Sequence, residues 1–218
     1  MSSIILIPDN YHHNSGTELI VMTLNNINHR LSPYLQSPIS GMFSLQGNRD
    51  STSALARTAA VLIIVHSENN VPHILLTRRS SQLKHHTGEI SFPGGQFSRA
   101  EDQSLLDTAL RETREEVGLS FKAEDILGRL KTVYTLTSNF AIVPFITIQE
   151  KIPEPRILAS EVDCIVDVPL HQTLSSFEPD IEHYHISRKG VYKFTYEGFI
   201  IWGATARILK QLYDRLHV

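Results

Sequence analysis

Cysteine is nearly absent from this 218-residue chain: Cys164 stands alone, so no disulfide can form within it. Its neighbours Ile165 and Val166 are apolar, which suits a buried, inert thiol, because a reactive one needs an electropositive, exposed setting. No apolar run approaches the roughly 20 residues of a membrane span. The start, Met1-Ser2-Ser3-Ile4-Ile5-Leu6-Ile7-Pro8, has no basic stretch and too short an apolar run for a secretory signal. The end, Leu216-His217-Val218, is not a peroxisomal address. An excess of one charge is lacking too. The formal net charge is −3 with no long run of either sign, so there is no basic face for a nucleic acid. These absences lead us to expect a cytoplasmic protein that binds neither nucleic acid nor membrane. An acidic protein that acts on an anion must supply positive charge locally, from metal ions and a few Arg or Lys.

What is present is the composition of a globular domain, 41% hydrophobic and 20% charged. A chain of this length buries roughly 70% of its unfolded surface and needs no staples. Residues 1–54 read as an N-terminal helix followed by an extended connection, and 55–218 as the main domain. In the first part Ile20, Val21, Leu24, Ile27 and Leu31 recur at helical spacing before Pro33. That helix has two docking options, its own domain or the partner subunit of a homodimer. In the main domain Ala59 to Val65 and His73 to Thr77 form a hairpin about Ser67-Glu68-Asn69-Asn70. Further strands are expected at Glu89 to Phe92, Arg129 to Thr135, Phe140 to Ile148 and Val162 to Val168. A second hairpin joins Asp180–Ser187 to Val191–Tyr196 through Arg188-Lys189-Gly190. Asp102 to Val117 is the best helix, with Leu105, Leu106, Ala109, Leu110, Thr113 and Val117 inward and the glutamates largely off that stripe. Glu101 and Asp102 suit its positive amino end, and Gly118 its C′ position. Ala204 to Leu216 forms a last amphipathic helix. The order implies an α/β fold, a mixed sheet between helical layers.

The most informative stretch is Arg111-Glu112-Thr113-Arg114-Glu115-Glu116-Val117-Gly118-Leu119, which follows a Phe92-Pro93-Gly94-Gly95 turn. On a helix Glu112, Glu115 and Glu116 share one face. Like charges packed so weaken a helix by roughly a few tenths of a kcal/mol per pair. Hard divalent cations such as Mg²⁺ want oxygen ligands of this kind and bind phosphates at the same time. The cluster reads as a metal site for phosphate chemistry.

Gly95, Arg111, Glu112, Glu115, Glu116 and Gly118 together resemble the Nudix box, G-x5-E-x7-R-E-U-x-E-E-x-G-U, in which U is a bulky apolar residue. Five residues separate Gly95 from Glu101, as in the box; nine separate Glu101 from Arg111, where the family has seven, and Thr113 stands at a U position. The added residues fall in the loop before the helix, where insertions are tolerated best. Leu75-Leu76-Thr77-Arg78-Arg79-Ser80, Lys84, Gly88 and Phe92-Pro93-Gly94-Gly95 resemble a second pattern, which marks the coenzyme A pyrophosphatase branch of the Nudix hydrolases. Lys84 stands where that branch has Arg, keeping the charge but losing the bidentate fork. Similarity continues at Tyr134 to Ser138, Pro144-Phe145, Val168 to Leu170 and Ile201 to Arg207. Asn139 replaces a usual Gly.

The resemblance implies a Nudix-type α/β/α sandwich with a mixed β-sheet and the loop-helix-loop of the box. It implies Mg²⁺ or Mn²⁺ on Glu112, Glu115, Glu116 and the Gly95 carbonyl. Arg111 would orient a metal-binding carboxylate, and Arg78, Arg79 and Lys84 would contact the substrate. Glu112 and a loop glutamate such as Glu161 are alternative general bases. The implied reaction splits coenzyme A into 4′-phosphopantetheine and adenosine 3′,5′-bisphosphate. Two alternatives stand beside it: a Nudix pyrophosphatase for NADH, ADP-ribose or a dinucleoside polyphosphate, and a nucleotide-binding Nudix module without turnover. His85-His86 and the pair His183 and His185 read as polar surface residues.

Overall fold

The computed structural model describes residues 4–6, 22–38, 58–81, 88–135, 140–181 and 191–216. Its centre is the hairpin of β2 (Thr58–Glu68) and β3 (Val71–Arg79). Asn69 and Asn70 turn it with φ of 50° and 66°. Asparagine tolerates this left-handed pair better than most residues, and the tight turn pins Glu68 opposite Val71. The other strands are β1 (Ile4–Leu6), β4 (Ile90–Ser91), β5 (Gly94–Gln96), β6 (Gly128–Arg129), β7 (Val133–Tyr134), β8 (Ala141–Gln149) and β9 (Val162–Pro169). The main sheet runs β1-β9-β3-β2-β8-β6; β4 joins β3, β5 joins β2 and β7 joins β8. It is mixed: β2 and β8 are parallel, as are β1 and β9, whereas β3 runs antiparallel to β2 and β9. The expected α/β/α sandwich is what the chain forms.

Strand alternation divides the core. Ala60, Leu62, Ile64 and Leu75 point to one face, where helix α2 (Leu105–Val117) packs. Ile63, Val65, Ile74 and Leu76 point to the other, where α1 (Leu24–Leu31) and α4 (Gly203–Leu216) lie with a small sheet of β10 (Glu178–Pro179), β11 (Tyr192–Tyr196) and β12 (Phe199–Ile201). The short helix α3 (Leu170–Ser175) adds Leu170 and Leu174 to that core. On α1, Ile27 and Leu31 are fully buried in it, each burial contributing about 1.5–3 kcal/mol. The helix therefore packs on its own domain.

Several expectations change in detail. Helix α1 starts at Leu24, with Thr23 as N-cap, its hydroxyl accepting from the Asn26 N–H; residues 17–21 lie outside the described residues. Helix α2 starts at Leu105, not Asp102: Ser104 caps it, and Asp107 supplies its first-turn acid. Leu105 and Leu110 are only half-buried, while Thr108 is fully buried. Gly118 ends α2 at φ 72°, the left-handed cap that glycine adopts without penalty. The expected hairpin through Arg188-Lys189-Gly190 lies outside the described residues, although β10 does pair with β11. A hairpin not anticipated joins β11 to β12 at Glu197-Gly198, both at positive φ.

Candidate active site

The site forms where the turn before β5 meets α2. Strand β5 lies along the start of β2, with Gly95 opposite Ala60 and Gly94 opposite Val61. A Cβ on Gly95 would lie 2.4 Å from the Glu112 carboxyl carbon, so the backbone there presses directly on that carboxylate. Gly94 adopts φ 152°, and its N–H donates to Glu116 Oε2 at 3.1 Å. Glu112 and Glu116 are thus held against the Gly94-Gly95 backbone. Glu116 belongs to the buried stripe of α2, contrary to the expectation that the glutamates lie off it.

Arg111 organises the acidic face. Its Nε and Nη2 fork onto Asp102 at 2.8 and 3.1 Å, Nη2 lies 2.9 Å from Glu112 Oε1, and Nη1 donates to Glu115 Oε2 at 3.0 Å. Asp102 is the residue that sequence reasoning misassigned. It lies outside the helix and buried beneath it, accepting also from Ser98 N–H and Thr108 Oγ1, both at 2.9 Å. The extra loop residues make this placement. Ser98 O accepts from the N–H groups of Glu101 and Asp102, a tight turn that exposes Glu101 and tucks Asp102 in. Eight residues separate Asp102 from Arg111, closer to the box spacing than the nine after Glu101, and that count was the available signal. Thr113, in place of a bulky apolar residue, is fully buried and satisfies its hydroxyl on Ala109 O at 2.7 Å.

The electrostatics follow from burial. Burial pushes the Glu116 carboxyl up to about 7; the Gly94 N–H opposes this and the neighbouring Glu112 charge adds to it. Glu112 is raised as well, by burial first, with Arg111 pulling the other way. For Asp102 burial works upward, yet Arg111, Ser98 N–H and Thr108 outweigh it and hold its carboxyl below the usual range. Arg111 is held well above its ordinary value, chiefly by its hydrogen bond to Asp102.

Two oxygen-donor carboxylates, Glu112 and Glu116, therefore carry charge that their surroundings disfavour, beside a backbone that leaves no side chain in the way. That donor set suits a hard divalent cation. Among the described residues no three Asp, Glu, His or Cys side chains stand ready-gathered around a metal position. Glu115 is turned to Arg111, with Arg114 4.0 Å away on its other oxygen, and its side chain is 47% exposed.

Arg79, at the end of β3, acts through its charge on Glu116 and lies 3.4 Å from Glu161, which is mostly exposed. The segment before Glu161 is stitched to the carboxyl end of α2: Arg156 N–H donates to Val117 O and Leu158 N–H to Glu116 O. Those bonds satisfy carbonyls that a helix end leaves open. Arg78 lies apart, 3.5 Å from Asp163. Lys84, His85, His86, Asn139, His183 and His185 lie outside the described residues. Tyr134 is exposed, and its carbonyl accepts from Arg207 Nη1. Cys164 is buried, and burial raises its thiol, as expected of an inert one.

A glycine turn pressed against a helix that carries clustered glutamates, at one end of a mixed sheet, defines a phosphate-chemistry enzyme of the α/β/α class. The NUDIX domain family model matches residues 56–180. The chain is 36% identical over 174 residues to the Nudix hydrolase NudL of Yersinia pestis (strain Pestoides F), covering 76% of this chain and 83% of that one. NudL of Yersinia pseudotuberculosis serotype O:1b matches to the same extent. Among solved structures, a MutT/nudix family protein from Enterococcus faecalis superposes with a TM-score of 0.53 at 15% identity, covering 74% of this chain and 62% of that one. A NUDIX hydrolase from Alicyclobacillus acidocaldarius gives 0.50 at 19%, covering 73% and 92%. The chain belongs to the Nudix family and is a Nudix hydrolase, an enzyme of phosphoric anhydrides. Among the described residues no helix is long and apolar enough to cross a membrane.

Proposed function

We propose that this enzyme hydrolyses the diphosphate bond of coenzyme A or its derivatives, releasing 4′-phosphopantetheine and adenosine 3′,5′-bisphosphate, with Mg²⁺ or Mn²⁺ as cofactor. The observation that carries this reading is the placement of the Leu75-to-Gly95 segment. Its ends lie in β3 and β5, so that one pattern supplies both the Gly94-Gly95 backbone at Glu112 and Glu116 and the Arg79 charge that acts on Glu116. Gly95, Glu112, Glu115 and Glu116 would hold the metal. A divalent ion supplies charge neutralisation at phosphate oxygens and activation of water.

The chain's own groups do the rest. Arg111, fixed by its fork on Asp102, holds Glu112 and Glu115 in register. Arg79, Arg78 and Lys84 supply cationic contacts to the substrate, replacing weak carboxylate partners where they have them. The attacking water loses its proton to a carboxylate, Glu112 or Glu161, and the carboxylate passes it to solvent. The substrate is a small molecule rather than a nucleic acid, and the setting is the cytoplasm.

The test is direct. Purified enzyme incubated with coenzyme A and Mg²⁺ or Mn²⁺ yields the two products by mass, and chelator stops the reaction. If coenzyme A and its thioesters survive while NADH or ADP-ribose is cut, the substrate assignment is wrong and the broader pyrophosphatase reading takes its place.

A further inference from the structure

Two adjacent arginines end β3, and they serve different sides of the sheet. Ile74 and Leu76 belong to the core beneath α1 and α4, Leu75 to the core beneath α2. Alternation carries Arg78 to the first face. At this point β9 holds one residue more than β3. Arg78 pairs with Cys164 and Arg79 with Val162, so Asp163 has no opposite number. A bulge of this kind re-aims side chains. The charge of Arg79 acts on Glu116, beside the glycine turn, whereas that of Arg78 acts on Cys164, whose side chain lies in the opposite core. Among the described residues each guanidinium forms an ion pair with a carboxylate, Glu161 3.4 Å from Arg79 and Asp163 3.5 Å from Arg78. Both pairs are long and partly exposed, a kind worth little in water. An incoming phosphate offers either arginine shorter, bidentate contacts.

We propose that Arg79 engages the scissile diphosphate, and that Arg78 reads a second anionic group of the same substrate, a phosphate monoester remote from the bond that breaks. Arg78 is then a specificity-determining residue. It distinguishes a nucleotide that carries an outlying phosphate from one that lacks it. The separation of the two guanidiniums by the sheet makes service to one phosphate geometrically unfavourable, and a substrate that spans the sheet end satisfies both. The inference rests on the diphosphatase reading above and sharpens it.

Coenzyme A and 3′-dephospho-coenzyme A differ by that one phosphate, and they provide the test. Steady-state kinetics with Mg²⁺ are measured on both compounds for the wild-type enzyme, Arg78→Gln, Arg78→Lys and Arg79→Gln, with thermal melting as the check on folding. Wild type should favour coenzyme A in kcat/KM by about tenfold or more, the value of one charge-assisted contact. Arg78→Gln should bring the ratio of the two compounds towards one, through KM for coenzyme A, and Arg78→Lys should recover part of it. Arg79→Gln should lower both compounds in proportion. If Arg78→Gln lowers both equally, or wild type cleaves both equally well, the inference falls while the diphosphatase reading stands. If wild type cleaves neither, both fall together.

Discussion

Arg111 and Asp102 form a buried fork, with the guanidinium Nε and Nη2 on the two carboxylate oxygens at 2.8 and 3.1 Å, nine positions apart in the chain. The Asp102 side chain is wholly inaccessible and that of Arg111 only 14% exposed. Removing one partner of such a pair strands the other charge, at a cost of about 3–5 kcal/mol. Asp102→Ala should therefore lower the free energy of unfolding by about that much, measured by urea denaturation. It should also depress kcat, because Arg111 no longer holds Glu112 and Glu115. Glu101→Ala, at an exposed position, should do neither; a large loss there would mean that Glu101 and not Asp102 anchors Arg111.

The two glycines of the turn should separate fold from function. A Cβ on Gly94 would meet Ala60 O at 2.3 Å and the Val61 Cα at 2.6 Å, both backbone atoms, at a φ of 152°. Gly94→Ala should destabilise the fold, with a clear drop in melting temperature. A Cβ on Gly95 meets instead the movable Glu112 carboxyl at 2.4 Å. Gly95→Ala should melt close to wild type, bind divalent cations more weakly by calorimetry and lose activity.

Glu116 should make the metal-free protein less stable as pH rises. Its carboxyl is pushed up to about 7 by burial, above the ordinary 4.5, so the folded state binds more protons than the unfolded between those values. Stability then falls as pH rises through that window, on the order of 3 kcal/mol, because ionisation is resisted only in the fold. Glu116→Gln should flatten this slope in chelator-treated protein, and a divalent cation should reverse it in wild type. The same variant should lower kcat by several orders of magnitude with the fold intact. Near wild-type hydrolysis by Glu116→Gln would place the metal elsewhere.

On the α2 side of the sheet, at the end away from the glycine turn, Asp167 is buried beside His66 and His73. His66 Nε2 lies 3.0 Å from one carboxylate oxygen; His73 Nδ1, 3.6 Å from the other, is beyond hydrogen-bond reach. Burial works to raise the Asp167 carboxyl, but the contacts with His66 and then His73 prevail and hold it below its ordinary value of 3.8. A depressed carboxyl contributes stability that is present above the unfolded value and lost as pH falls through the lower folded one. Acid unfolding as pH falls below the ordinary value of 3.8 should therefore be shallower in Asp167→Asn, and that variant should be less stable than wild type at pH 7.

Periodicity and spacing made a large part of the molecule legible. The β2–β3 hairpin announced itself through paired asparagines between apolar runs, and α2 through its stripe and its closing Gly118. The last helix showed itself by Ile208, Leu209, Leu212 and Leu216, all buried. These are local signals, and local geometry answers them. The glutamate cluster was legible for the same reason, since i, i+3 and i+4 on a helix must share a face. Short strands such as β12 gave too few residues for alternation to register.

Sequence alone thus determined the longer strands and helices, the acidic face of α2 and the glycine turn that precedes it, because each depends on residues a few positions apart. Tertiary structure alone decided which carboxylate anchors Arg111, and that Glu116 is buried while Glu115 is not. Those outcomes depend on a loop turn at Ser98 and on strand β5 lying against β2. Burial, and with it the energy of a charge, is set by what distant parts of the chain bring alongside, and spacing along the backbone does not encode it.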